Sequence, residues 1–179
     1  MMLTLVPHPD FPSVAVTAIG TDVGRHEGGE LTLRFFVEGD LDGVIWPQFD
    51  SPARRTDGLW QHSCFEAFVG FVDEPDYCEL NFATSMKWAA YRFDTYRTGM
   101  SDIEKVVSSG HWLPGKGCAV IHFILPDLAA PREWRLGLSA IIEATDGTKS
   151  YWALAHPRGK PDFHNADCFT ARLAAPERA

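Results

Sequence analysis

Apolar and polar residues alternate along most of this chain with a period of two, and long helical periodicity is scarce. Leu31, Leu33, Phe35 and Val37 alternate with Thr32, Arg34, Phe36 and Glu38, the pattern of a strand with one buried face. Gly28-Gly29 before it and Gly39-Asp40 after it supply turn chemistry at both ends. Residues 64–72 differ. Phe65, Ala67, Val69 and Phe71 point one way, while Cys64, Phe68 and Gly70 point the other, with Glu66 among them. A strand apolar on both faces is central in its sheet and covered on both sides.

Residues 77–82 follow, with Cys78, Leu80 and Phe82 towards a core and Tyr77, Glu79 and Asn81 on the opposite face. In residues 87–94, Trp88, Ala90 and Arg92 alternate with Ala89, Tyr91 and Phe93, and the three segments read as a meander. Further strands are predicted at residues 3–6, 14–19, 119–125, 135–143, 150–154 and 168–173, with a turn at Asp146-Gly147. Residues 101–108 read as one or two helical turns. Many short strands separated by Gly, Pro and Asp predict an all-β fold, an antiparallel β-sandwich of jelly-roll type with at most short helical turns. No repeat, low-complexity tract or linker divides residues 1–179, so a single domain is expected.

Composition narrows the partners. With 179 residues the chain can bury roughly 70% of its unfolded surface without a disulfide framework. The formal net charge of −8, from 16 Lys plus Arg against 24 Asp plus Glu, disfavours nucleic acid, whose binding runs on clustered basic residues. Arg54-Arg55 is the longest basic run. Apolar runs are strand-sized, shorter than the roughly 18 residues of a membrane span, so no membrane association is expected. The start MMLTLVPHPD has no basic segment and meets proline early, so no export signal is visible and the cytoplasm is the expected compartment. Cys64, Cys78, Cys118 and Cys168 contain no CxxC pair and lie in or beside apolar segments, which predicts buried, reduced thiols.

Three groups of residues carry candidate chemistry. Residues 57–69, DGLWQHSCFEAFV, run from a turn into the buried strand, placing Trp60, Gln61 and His62 at its mouth and Glu66 inside. A buried carboxylate needs a partner, and Arg92 on a nearby strand is the expected one, either in a structural bridge or beside a ligand-facing Glu66. Tyr77, Glu79 and Asn81, with Trp88 and Arg92 on the next strand, combine aromatic surface with carboxylate, amide and guanidinium groups, a mixture suited to a neutral polyol. The alternative is that Trp88 and Tyr77 only cover the sheet. In the tail SYWALAHPRGKPDFHNADCF, His156, Asp162, His164 and Asp167 are weak metal-ligand candidates, with calcium a better fit to the oxygen donors than zinc. Otherwise no cofactor is expected.

Catalytic motifs are missing. There is no GxSxG elbow, and Gly115-Lys116-Gly117 is not a phosphate-binding loop. A hydrolytic alternative would use Glu66 or Glu79 with His62 or His156.

The segment DGLWQHSCFEAFV resembles the DOMON-like superfamily, which includes the family 9 carbohydrate-binding modules, with Trp60 and Glu66 at the matching places. The segments YCELNF, KWAAYRFDTYRTGM and YWALAHPRGKPDFH resemble a bacterial subgroup of stand-alone cytoplasmic proteins, so the resemblance spans residues 30–173. It implies a β-sandwich whose concave face accepts a sugar or, in other branches, haem. Haem needs axial ligands, and the placement of Met86, Met100 and the histidines singles out no pair. His62-Ser63-Cys64 stand where those modules favour an acidic residue, which points away from cellulose or xylan and towards a small intracellular sugar. The expected function is non-catalytic binding of a sugar or sugar-containing metabolite by Trp60, Glu66, Tyr77, Glu79, Asn81, Trp88 and Arg92.

Overall fold

The computed structural model describes residues 1–49, 52–104 and 106–176. Among the described residues the alternating pattern becomes twelve antiparallel strands: β1 (Met2–Pro7), β2 (Val16–Arg25), β3 (Glu30–Gly39), β4 (Cys64–Phe71), β5 (Tyr77–Phe82) and β6 (Trp88–Phe93) in the first half of the chain. The second half supplies β7 (Ser101–Asp102), β8 (Val107–Leu113), β9 (Cys118–Ile124), β10 (Trp134–Glu143), β11 (Lys149–Ala153) and β12 (Ala171–Leu173). Only 3-10 turns interrupt them among the described residues. The all-β sandwich expected from the pattern is what the chain forms.

Two layers face each other. The back sheet runs β8-β9-β3-β2-β1 and the front sheet β7-β6-β5-β4-β10-β11. β1 joins them, pairing with β2 through Met2–Leu5 and with β11 through Val6 and Pro7. β12 lies along the first residues of β10, on the side that β11 occupies further along. Between the layers sit the predicted inward residues: Leu31, Leu33, Phe35 and Val37 from β3 against Phe65, Ala67, Val69 and Phe71 from β4. The Phe35 and Phe65 rings stack at 4.7 Å between centroids. Burying each such side chain fully stabilises the fold by roughly 1.5–3 kcal/mol.

The front sheet carries a second, outward apolar face: Cys64 and Phe68 of β4, Tyr77 of β5, Tyr91 and Phe93 of β6 and Ile141 of β10. The cover that β4's double-sided pattern requires is a loop, the stretch between β11 and β12. Pro157 and Pro161 restrict its backbone, and Phe163 and Phe169 drop onto the sheet. Asn165 holds its last turn by accepting a hydrogen bond from the Asp167 amide at 2.9 Å. All four cysteines are buried and free, as expected.

Three boundaries differ from expectation. Residues 101–108 are not helical: Ser101 and Asp102 pair with β6, and β8 begins at Val107, while Lys105 lies outside the described residues. β2 continues six residues past Ile19, to Arg25. Cys168, expected in a strand, closes a 3-10 turn, and β12 starts only at Ala171. No described helix is long and apolar enough to cross a membrane.

Candidate functional site

The outward face of the front sheet is assembled by cross-strand register. Glu66 stands opposite Asn81, and Phe68 opposite Glu79. Glu79 in turn stands opposite Tyr91, and Tyr77 opposite Phe93. Paired residues share a face, so two carboxylates and four aromatic rings are gathered on one patch. Two loops arch over it, residues 94–100 after β6 and the stretch between β11 and β12. Asp162 clasps them together, accepting from the Tyr96 hydroxyl at 2.7 Å and from Arg97 Nη2 at 2.8 Å. Arg97 adopts φ 52°, the left-handed region that a side chain with a Cβ disfavours by about 1–2 kcal/mol. That backbone aims its amide at the Tyr77 hydroxyl, 3.3 Å away, while the guanidinium reaches Asp162.

Beneath the loops is a cavity of about 460 Å³, within the size range of small-molecule sites. Glu66 and Glu79 form part of its floor, and Trp60, Tyr91, Phe93, Tyr151 and Phe163 give it aromatic walls. Trp60 stands at the rim, 41% exposed, its ring edge-on to Tyr91 at 6.1 Å. The rim turn is fixed by the Tyr91 hydroxyl donating to Asp57 at 2.7 Å, and by Gly58, whose φ of 75° suits glycine.

Both carboxylates are buried. Glu66 accepts from the Ser139 hydroxyl at 2.7 Å and more weakly from the Cys64 thiol at 3.8 Å. Burial, reinforced by the nearby charge of Glu79, pushes the Glu66 carboxyl up to about 8. Glu79 is likewise raised by burial, although the Asn81 amide donates to it at 2.8 Å. The Cys64 thiol is raised well above its ordinary value by burial and by both glutamates, so it is no nucleophile.

His164 is held neutral: burial and the neighbouring Arg97 bring it down to about 4. The Tyr77 hydroxyl accepts from the Arg97 amide and shares a hydrogen bond with His164 Nδ1 at 2.8 Å, and His164 Nε2 faces Glu79 at 3.5 Å.

Of the residues singled out in the sequence, Trp60, Glu66 and Glu79 line the cavity, and Tyr77 and Asn81 lie on the same sheet face. Trp88 and Arg92 do not join them. The β5–β6 register places Trp88 opposite Phe82 and Arg92 opposite Cys78, on the inward face. Trp88 packs half-buried against the inter-sheet core. Arg92 is not the partner of Glu66: its guanidinium donates to Asp76 at 2.7 Å, towards solvent. Tyr91 and Phe93 take the places expected for Trp88 and Arg92.

The metal-ligand candidates disperse. His164 turns into the cavity, Asp162 is engaged by Tyr96 and Arg97, and His156 sits 2.9 Å from the Val6 carbonyl. Asp167 lies in the first turn of a 3-10 element. Among the described residues no three His, Cys, Asp or Glu groups are arranged to hold a metal ion. His62 is exposed and bonds Glu143 at 2.7 Å, outside the cavity.

The sequence reading missed Arg97, Tyr151 and Phe163 as cavity residues. For Tyr91 and Phe93 a signal existed: five residues separate Phe82 from Trp88, and a hairpin closed by that pair turns Tyr91 to the side of Glu79. Nothing comparable marks the loop residues.

Fold and cavity together define a class: an antiparallel β-sandwich with a ligand-sized cavity on the outer face of one sheet. No family model matches the chain, and no curated protein matches it. Solved structures share the fold. A protein from Bacteroides uniformis named as a putative carbohydrate-binding protein superposes with a TM-score of 0.69 at 13% identity, over 97% of this chain and 85% of that one. A family 9 carbohydrate-binding module from Caldicellulosiruptor kristjanssonii, solved with cellotriose, gives a TM-score of 0.54 at 13% identity over 98% of this chain and 83% of the module. A module of that family from the same organism, solved with glucose, gives 0.52 at 12% identity over 93% and 81%. These likenesses establish the sandwich fold.

Proposed function

We propose that this protein binds a small carbohydrate, without catalysis, in the cavity on the outer face of the front sheet. The observation that carries the proposal is the cavity itself, where the aromatic side chains of Trp60, Tyr91 and Phe93 meet the buried carboxylates Glu66 and Glu79. The C–H face of a sugar ring packs on aromatic carbon, and its hydroxyls bond the carboxyl groups, which fixes orientation. The likeness to modules solved with cellotriose and glucose supports the same reading. A cavity of about 460 Å³ suits a mono- or disaccharide better than a polymer chain. The resemblance to stand-alone cytoplasmic DOMON-like proteins extends the proposal to an intracellular sugar or sugar-containing metabolite.

The test is titration calorimetry against a panel of mono- and disaccharides. Binding is expected, and Trp60→Ala should weaken it about tenfold, equivalent to ~1.4 kcal/mol. Because Trp60 is at the rim, its replacement should leave the melting temperature nearly unchanged. Trp88→Ala removes a half-buried residue packed against the inter-sheet core and tests stability instead. Absence of any sugar binding up to millimolar concentration, or an unaltered affinity in Trp60→Ala, would overturn the proposal. Addition of EDTA should leave the affinity unchanged, since Ser139, Asn81 and His164 already address the two carboxyl groups without a metal.

A further inference from the structure

Two buried carboxyl groups line the cavity, and among the described residues no Lys or Arg is hydrogen-bonded to either. Glu66 and Glu79 are diagonal neighbours on adjacent strands. Every group that addresses them is neutral: the Ser139 hydroxyl, the Cys64 thiol, the Asn81 amide and His164. Arg97, the guanidinium that lines the cavity, is turned to Asp162, which takes its Nε at 3.2 Å and its Nη2 at 2.8 Å. Among the described residues no Lys or Arg lies within ion-pair distance of either carboxylate.

A second, independent observation is Asn81. It is 0% exposed, its amide nitrogen is committed to Glu79, and its carbonyl oxygen Oδ1 is buried without a hydrogen-bond partner. Reversing the amide would set that oxygen against a carboxylate, so the orientation is fixed. An unpartnered buried carbonyl is destabilising, and this one lies on the sheet face that carries Glu66 and Glu79. Glu66 Oε1 has only a thiol at 3.8 Å, and Glu79 Oε2 only the 3.5 Å contact with His164. Each carboxyl group therefore keeps one oxygen without a short hydrogen bond.

An ammonium group supplies three donors and no acceptor, and it is the cation that aromatic faces attract. Trp60, Tyr91 and Phe93 line the cavity beside the carboxylates. We infer that the ligand is a sugar carrying a protonated amine, with the ammonium seated between Glu66 and Glu79 under the aromatic walls. This inference rests on the sugar reading above and names the substrate class of the same site. The Arg97 guanidinium is turned to Asp162, whose carboxylate offsets part of its charge. The burial that holds the proton on Glu66 in the empty cavity adds a signature: seating the ammonium expels that proton to solvent.

The probes are glucosamine, N-acetylglucosamine, glucose and the sugar-free amine ethanolamine, titrated calorimetrically at pH 6.5 in two buffers of different ionisation enthalpy. Glucosamine should bind at least tenfold more tightly than glucose or N-acetylglucosamine. Its apparent heat should depend on the buffer, reporting proton release, whereas the heat for glucose should not. In Glu66→Gln and, separately, Glu79→Gln, the ratio of glucosamine to glucose affinity should collapse towards one. Two variants are used so that a folding defect in either leaves the other informative.

Glucose or N-acetylglucosamine binding as tightly as glucosamine would overturn the inference and leave the sugar reading standing. Ethanolamine binding with no sugar bound would overturn the sugar reading and keep the ammonium seat. Silence from all four probes would overturn both.

Discussion

Glu66→Gln is expected to make the ligand-free protein more stable than the wild type at pH 8 and above, and to flatten its loss of stability with rising pH. The folded state holds the Glu66 proton up to about pH 8, because burial and the Glu79 charge disfavour the anion. An unfolded glutamate releases it near pH 4.3. Between these values the folded chain binds more protons than the unfolded chain. Stability is therefore full below the unfolded value and falls as pH rises through the folded one. At about 1.4 kcal/mol per pKa unit the ceiling is about 5 kcal/mol, and several kcal/mol is the expected loss. Glutamine keeps the shape of the neutral acid and the contact with Ser139 but has no proton to lose. Urea unfolding at pH 5, 6.5, 8 and 9 measures this. Parallel curves for the two proteins would show that Glu66 does not titrate in this range, and would remove the physical basis for a proton-releasing ligand.

Trp134→Ala should lower the unfolding free energy by about 3–5 kcal/mol, the range for deleting a large buried aromatic side chain. Trp134 is 0% exposed in the inter-sheet core, at the point where β10 is flanked by β4 and β12. Its ring also supports Arg25, whose guanidinium lies 3.9 Å from the ring centroid. That guanidinium donates to the carbonyls of Leu173 at 2.9 Å, Ala174 at 3.0 Å and Ala130 at 3.2 Å. Removing the ring leaves a void and unseats the residue that ties β12 to the rest. A fall in melting temperature of about 10 °C or more is expected. A loss below ~1 kcal/mol would mean that the sheets close over the void, so the contrast with the rim residue Trp60 is a direct comparison of core and cavity tryptophans.

The strands most legible in the sequence were those with a fixed inside and outside. β3 alternates cleanly because one face meets Phe65 and its neighbours while the other meets water. β8 was illegible for the opposite reason. At the end of the back sheet, Ser108, Ser109 and Gly110 show no alternation. Gly110, which reads as a strand breaker, is there because a Cβ would come within 2.8 Å of the Phe82 ring and 2.7 Å of the Val120 carbonyl. Its role is set by contacts with residues far away in sequence. β7 is two residues long and exists only through pairing with β6, which no local pattern records.

The candidate site divides in the same way. Glu66, Glu79 and Asn81 stood out because polar groups inside apolar strands demand a reason. Trp88 and Arg92 were attractive by residue type but face the other way, because a strand residue's face follows from parity and not from chemistry. Arg97, Phe163 and His164 reach the cavity from loops whose path depends on the Asp162 clasp with Tyr96 and Arg97.

Thus the sequence by itself determined the all-β sandwich, the double-sided burial of residues 64–72 and the presence of buried carboxylates. Those properties follow from alternation and from the free energy of removing apolar surface from water, both local to the chain. Only the tertiary structure decided that the second cover of β4 is a loop with a cavity beneath it, that Glu66 faces Glu79 and Asn81 instead of Arg92, and that Tyr91 and Phe93 form the walls. Register, loop path and the pairing of distant charges are settled by contacts between residues far apart in sequence, and the period-two pattern carries no record of them.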